Sequence, residues 1–401
     1  MAWQSVRVPR FEPFAALRFN AATLPDRVAP PYDVLSMDDV AALRASDPHN
    51  ITHVDVPLEG DGPDPYAVAA SRLQAWIESG DLVLDDRPSF TICRMSFTDE
   101  TGRARTISGV IGALEVVDEG SGGVLPHERT TPKASTDRLD LTRATGCNLS
   151  PVWGLSLATG LTALLVEPGE TVGVVVRDGV EHRFERVTDP ARVSGIAAAV
   201  GSSDVLIADG HHRYGIARRH RDDRRAALGA DAGPAETTMT FVNELVAEQL
   251  AVAAIHRLYT GCDIDEMVAA LGDRFDIEDE HPVDDATLST MAARGTLRLV
   301  ERSGLGRLLV PRAGAFEGVR ALDGLWLEAT LEAVRHEVRY QHGVHEVLGE
   351  LASHRADLAI LIRPVPLSEI VHTARAGELM PPKSTFFTPK LLTGPVIRPL
   401  G

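Results

Sequence analysis

Residues 204–219 read DVLIADGHHRYGIARR. Val205, Leu206, Ile207 and Ala208 form a short continuous apolar run, the pattern of a fully buried strand. Asp209-Gly210 is a turn dipeptide. From Tyr214 onward, Tyr214, Ala217 and Arg218 keep a helical period, with no proline to interrupt it. A buried strand that feeds a helix through so short a turn commits the chain to layered strands and helices. It also puts His211, His212 and Arg213 in the loop or first helical turn at the top of the strand. Helix starts present unpaired N–H groups and partial positive charge, which suit an anion. A plain turn, a metal site and an anion site all fit this stretch taken alone.

Strand and helix patterns alternate along the rest of the chain. Ser36 followed by Asp39 is a helix start, with Pro48 as its stop, and residues 65–80 predict another helix. SFTICRMSF, RTISGVIGALEVV, LTALLVEP, TVGVVVRD, TMTFVNEL and LAVAAIHRLY predict strands. The fold class expected is α/β (α+β), with mixed sheets and helices. RRHRDDRR, 218–225, predicts a solvated helix face with intrahelical pairs.

At 401 residues, 44% hydrophobic and 24% charged, the chain has core enough for two or three domains without staples. Cys93, Cys147 and Cys262 are far apart, so neither a disulfide framework nor a zinc knuckle is implied. The start lacks a signal-peptide pattern and no run is long enough to span a membrane, so a cytoplasmic location without membrane partners is expected. A formal charge of −17 disfavours nucleic acid as a partner.

Of 40 basic residues only three are lysine: Lys133, Lys383 and Lys390. They fall in LPHERTTPKASTDR and MPPKSTFFTPK, where a compact charge on a flexible stem has a use that a planar guanidinium lacks. Three clusters result. His127, Glu128, Arg129 and Thr130 precede Lys133, Asp137, Arg138 and Arg143; Asp209, Gly210, His211, His212 and Arg213 form the second; Lys383, Ser384 and Thr385 with Lys390 form the third. Each joins cations or hydroxyls to turn residues, the combination that phosphoryl oxygens require. Phosphoryl transfer also needs a group to take the acceptor's proton. Glu128 is the first candidate for that base and Asp209 the second, and either carboxylate is a candidate ligand for Mg²⁺. No P-loop, protein-kinase or hydrolase-elbow motif occurs. His342 and His345, with His336 and His354 nearby, read as a polar helix face rather than a metal site.

VAPPYDVLS, NITHVDVP, LPHERTTPKASTDRLDLTRATGCNLSPVWGL, IADGHHRYGIA, HRLY and MPPKSTFFTPKLLTGPVIRPL together resemble the bacterial and archaeal family of domain of unknown function 1015, from about Arg10 to the C-terminus. The D-G-H-H-R box is similar to the phosphate-binding turn of the ParB and sulfiredoxin-like fold. Free-serine kinases on that fold carry Pro-His-Glu upstream, with the glutamate as base. The resemblance implies a ParB/sulfiredoxin-like core at 124–245, an N-terminal α/β region at 1–123 and a C-terminal α/β region at 246–401 that packs back on the core. It implies a kinase for free L-serine or a related amino acid, with pyrophosphate, ATP or ADP as donor and Mg²⁺. The phosphates would be held by His127, Arg129, Thr130, Lys133, Arg138, Gly210 to Arg213, Lys383 to Thr385 and Lys390, and the acceptor by Tyr32, Asp33 and Asp137. The alternatives are a ParB-type nucleotide- or DNA-linked regulator, or a phosphohydrolase using the same pocket. About eighty residues separate Glu128 from Asp209, which implies an insertion between the two motifs.

Overall fold

The computed structural model describes residues 7–99, 102–128, 135–229, 231–284, 286–381 and 383–401. The chain divides into two compact units. The first comprises Met1–Leu250, Ala374–Glu378 and Pro389–Gly401, and the second Ala251–Thr373 and Leu379–Thr388. Mixed sheets with helices make up both, the class that the sequence predicts.

A nine-stranded sheet organises the first unit. Its path runs Val124–Leu125, Val205–Asp209, Val152–Ser156, Thr237–Glu244, Ala104–Glu115, Phe90–Thr98, Val180–Val187 and Glu170–Arg177, with Phe11–Glu12 paired beside Ala104–Glu115. The expected boundary between residues 123 and 124 falls inside this sheet. Val124–Leu125 runs parallel to Val205–Asp209, with Val124 opposite Val205, so the chain leaves both strands at the same edge. One core cluster joins sheet residues Phe90, Val110, Val152, Val205 and Val242 to Ile196 and Val200 of helix Pro190–Val200 and to Tyr214 and Ala217 of helix His211–Leu228. Burial of this apolar surface is the main term holding these helices to the sheet.

Local signals set several boundaries. Ser36 and Asp39 form a reciprocal capping box at the start of helix Met37–Ser46. Asp64 and Asp189 each cap a helix that opens with proline. Residues 161–168 depart from expectation. Leu161–Leu164 is a helix, because the Glu244 carboxylate accepts from the N–H groups of Gly160 and Thr162 and caps its start. The arginine-rich run also departs: Arg221 is 2% exposed and bonds to the Val116 carbonyl and Asp118, and Arg225 bonds to Glu236. Those charges tie the helix to neighbouring segments.

The C-terminal segment returns to the first unit. Ile397 and Thr393 make bridges to Leu17 and Ala29, and Arg398 bonds to the carbonyls of Thr237 and Pro234. Gly394, at φ +100°, passes so close to Ile51 that an added Cβ would stand 3.1 Å from its side chain.

The second unit has a six-stranded antiparallel sheet in the order Phe275–Pro282, Leu305–Pro311, Leu297–Val300, Leu358–Leu361, Ile255–Thr260, Glu337–His342. Alternate residues feed separate cores: Tyr259, Leu309 and Ile360 join one cluster, while Leu258, Leu308 and Leu361 join the other. Helices therefore cover both faces. His342 ends a strand and stacks on Phe386 at 4.3 Å, whereas His345 lies on helix Val344–Ala352, so the expected shared helix face does not form. Among the described residues, no helix is long and apolar enough to cross a membrane.

Candidate functional site

Strand Val205–Asp209 ends at Gly210, and helix His211–Leu228 begins with the next residue. Gly210 adopts φ +84°, a left-handed conformation open to glycine at little strain, and an added Cβ would stand 3.1 Å from Arg213 Nε. The reversal is tight enough to start the helix at His211, three residues before the period shows in the sequence. Among the described residues no side chain caps the helix start, and a helix N-terminus carries partial positive charge.

Asp209 lies between two cations. Lys390 Nζ is 2.7 Å from Oδ1 and Arg213 Nη2 is 2.8 Å from Oδ2. Arg213 also donates to the carbonyl of Pro151. Burial alone would raise the Asp209 carboxyl, but Lys390 and Arg213 outweigh it and hold the group well below the usual carboxylate range. Asp209, the second expected base and a candidate Mg²⁺ ligand, thus has a cation on each of its oxygens. The two contacts hold the Lys390 and Arg213 side chains together at the turn. Among the described residues, no three His, Cys, Asp or Glu side chains form a metal-binding group.

The parallel register of Val124–Leu125 brings His127 against the turn. His127 is fully buried, its Nδ1 is 2.7 Å from the Ile207 carbonyl, and its ring meets that of His211 edge-on at 4.7 Å. Since a carbonyl only accepts, His127 Nδ1 carries the proton. The His127 backbone N–H donates to His211 Nε2 at 3.4 Å, which leaves the neutral His211 protonated on Nδ1. Burial pushes His127 down to about 4 and His211 well below its ordinary value. Both rings are neutral at pH 7, so what they can offer a ligand is N–H dipoles, while Arg213 and Lys390 carry the charge. Glu128 directly follows His127.

Arg138, on helix Ser135–Thr145, lies over the Tyr32 ring at 4.3 Å, and its Nε is 2.7 Å from Asp137. Asp137 also accepts from the Tyr66 hydroxyl at 2.7 Å, so it anchors Arg138. Burial raises the Tyr32 phenol. Asp33 is exposed, and its charge together with Tyr32, Asp55 and Asp209 supports the charged form of Arg213 against burial. Tyr32, Asp55, Arg138 and Arg213 share the wall of a cavity of about 60 Å³.

The structure thus gathers Tyr32, Asp33, His127, Arg138, Asp209, Gly210, His211, Arg213 and Lys390 in the first unit, with Glu128 and His212 adjacent in the chain. Arg129, Thr130 and Lys133 lie outside the described residues. Lys383, Ser384 and Thr385 belong to the second unit, where Ser384 Oγ donates to the Pro381 carbonyl at 2.7 Å. Sequence reasoning missed Asp55 as a site residue. Its motif, NITHVDVP, was in view, but nothing in it marks an aspartate that folding buries.

No curated protein matches the chain. Among solved structures it is similar to a free serine kinase in complex with AMP, at 16% identity over 66% of this chain and 83% of that one, with a TM-score of 0.36. SbnI with a C-terminal truncation, from Staphylococcus aureus, is 14% identical over 72% of this chain and 87% of that one, with a TM-score of 0.37. A conserved hypothetical protein from Pyrococcus furiosus is 14% identical over 66% and 87%, with a TM-score of 0.35. The family model described as protein of unknown function (DUF1015) matches residues 11–325, and the chain belongs to that family.

Proposed function

We propose that this protein is a small-molecule kinase that transfers a phosphoryl group to the hydroxyl of free L-serine or a similar small amino acid. One observation carries the reading. The Pro-His-Glu segment and the D-G-H-H-R turn leave two parallel strands at one sheet edge, and His127 touches His211 there. Such edges, at the carboxyl ends of strands, are where open α/β sheets bind ligands. The motif resemblance to free-serine kinases supplies the acceptor class.

In this reading Glu128 accepts the proton of the acceptor hydroxyl as its oxygen attacks the terminal phosphorus of the donor. The new P–O bond forms in line with the bond that breaks, and orthophosphate or the shortened nucleotide leaves with that electron pair. Arg213 and Lys390, held in place by Asp209, neutralise the charge on the transferring group. The N–H groups of the first helical turn and His211 Nδ1–H add dipoles that need no reorganisation.

Incubation with L-serine and, separately, pyrophosphate, ATP and ADP is expected to yield O-phosphoserine with at least one donor. Release of phosphate without phosphoserine would instead mark a phosphohydrolase. Glu128→Gln is expected to lower turnover by about 100-fold or more while donor binding is kept. Retained turnover would remove Glu128 from the role.

A further inference from the structure

The cavity beside Arg213 contains a group for which phosphoryl transfer has no use. Asp55 is 4% exposed, yet the one contact its carboxylate makes among the described residues is a long one, 3.4 Å from Arg138 Nη1. The closer bond of that nitrogen goes to the Asp55 backbone carbonyl. An ionised carboxylate has about four acceptor positions, and the cavity that Asp55 lines is where further ones can be met. Burial pushes the Asp55 carboxyl up against the pull of Arg138 and Arg213.

Asp55 is also held where it stands. It ends the short helix Thr52–Asp55, whose start is fixed by Asn50: the Asn50 side chain donates to the Asp26 carbonyl at 2.7 Å and accepts from Thr52 Oγ1 at 2.7 Å. In the same cavity wall, the buried Nδ1 of His220 has no hydrogen-bond partner among the described residues. A carboxylate with spare acceptor positions and an orphaned ring nitrogen on one cavity wall suit a small polar ligand with donor groups. The volume is about 60 Å³. That is several times the roughly 10–15 Å³ needed to hold one water, so the space suits a small polar molecule and not a nucleoside.

We infer that this cavity binds a small α-amino acid, with Asp55 receiving the ammonium group and Arg138 facing the carboxylate. The assignment deepens the kinase reading by naming what recognises the acceptor, but ammonium recognition does not depend on phosphoryl transfer.

The test is calorimetric titration of the full chain, with and without pyrophosphate. The ligands are L-serine, L-alanine and 3-hydroxypropionate, which is serine without its amino group. Serine and alanine should bind, and 3-hydroxypropionate should bind at least about tenfold more weakly, the loss expected for one charge-assisted hydrogen bond. Asp55→Asn should weaken serine and alanine by a similar factor and leave 3-hydroxypropionate unchanged. The ligand series on the unaltered chain decides the matter even where that variant does not fold. Equal binding of serine and 3-hydroxypropionate, no binding of either amino acid, or an Asp55→Asn protein that binds serine normally would overturn the assignment. Amino-acid binding in the expected order without phosphoserine from any donor would overturn the kinase reading alone. Phosphoserine formation with an unchanged KM for serine in Asp55→Asn would overturn the Asp55 assignment alone.

Discussion

Asp209 shows how burial and partners separate two readings of one carboxylate. With Lys390 and Arg213 on its oxygens, it is held ionised and orients both cations. Asp209→Asn keeps the shape and removes the charge that aims them. The variant is expected to raise the donor KM by about tenfold or more, while the acid limb of the pH–rate profile keeps its position. Loss of that limb would restore Asp209 as the base. The scarcity of lysine singles out Lys390 in the sequence, but not the partner it meets in the fold. Asp209 lies 181 positions away, and no local pattern encodes a contact so remote. The neutral state of His211 was hidden for a similar reason, since it depends on a ring contributed by another strand.

The strand–turn–helix element was read correctly from its apolar run and its Asp-Gly turn. Where the helix begins depends on Gly210, whose φ of +84° is a backbone choice invisible in the letters. Gly210→Ala is expected to cost about 1–2 kcal/mol from the left-handed backbone, measured by urea denaturation. It should also weaken donor binding, because the new Cβ presses on the Arg213 side chain. Unchanged stability and binding would show that the turn tolerates an ordinary residue. The stretch from Leu161 failed as a strand because a short apolar run fits either period, and the deciding cap comes from Glu244, more than eighty residues on. The arginines of the following helix were misplaced outward because their partners, Asp118 and Glu236, lie in other segments.

Taken as a whole, the molecule buries several neutral histidines. His127 and His182 are held down to about 4 and His256 to about 3, chiefly by burial. The unfolded chain protonates each near 6.5, so the unfolded state binds more protons between about 6.5 and 4. Their contribution is complete above pH 6.5 and is lost as pH falls through that window, by about 1.4 kcal/mol per unit per histidine. Asp55, raised by burial, acts in the opposite sense. Urea midpoints should therefore fall from pH 7 to pH 5, and His182→Phe should flatten that slope; a midpoint independent of pH would contradict the buried neutral state. The long-range assembly is the part the sequence conceals most. Pro389–Gly401 returns to the first unit and delivers Lys390 to a turn that the chain completed long before.

The central claim is that this turn and Glu128 together move a phosphoryl group onto a small hydroxyl. Phosphorus-31 NMR of the full-length protein with L-serine and each of pyrophosphate, ATP and ADP tests it most directly. The account predicts an O-phosphoserine signal that grows in step with loss of one donor and is absent with Glu128→Gln. Donor that stays intact, or breaks down to orthophosphate with no phosphoserine signal, would contradict it.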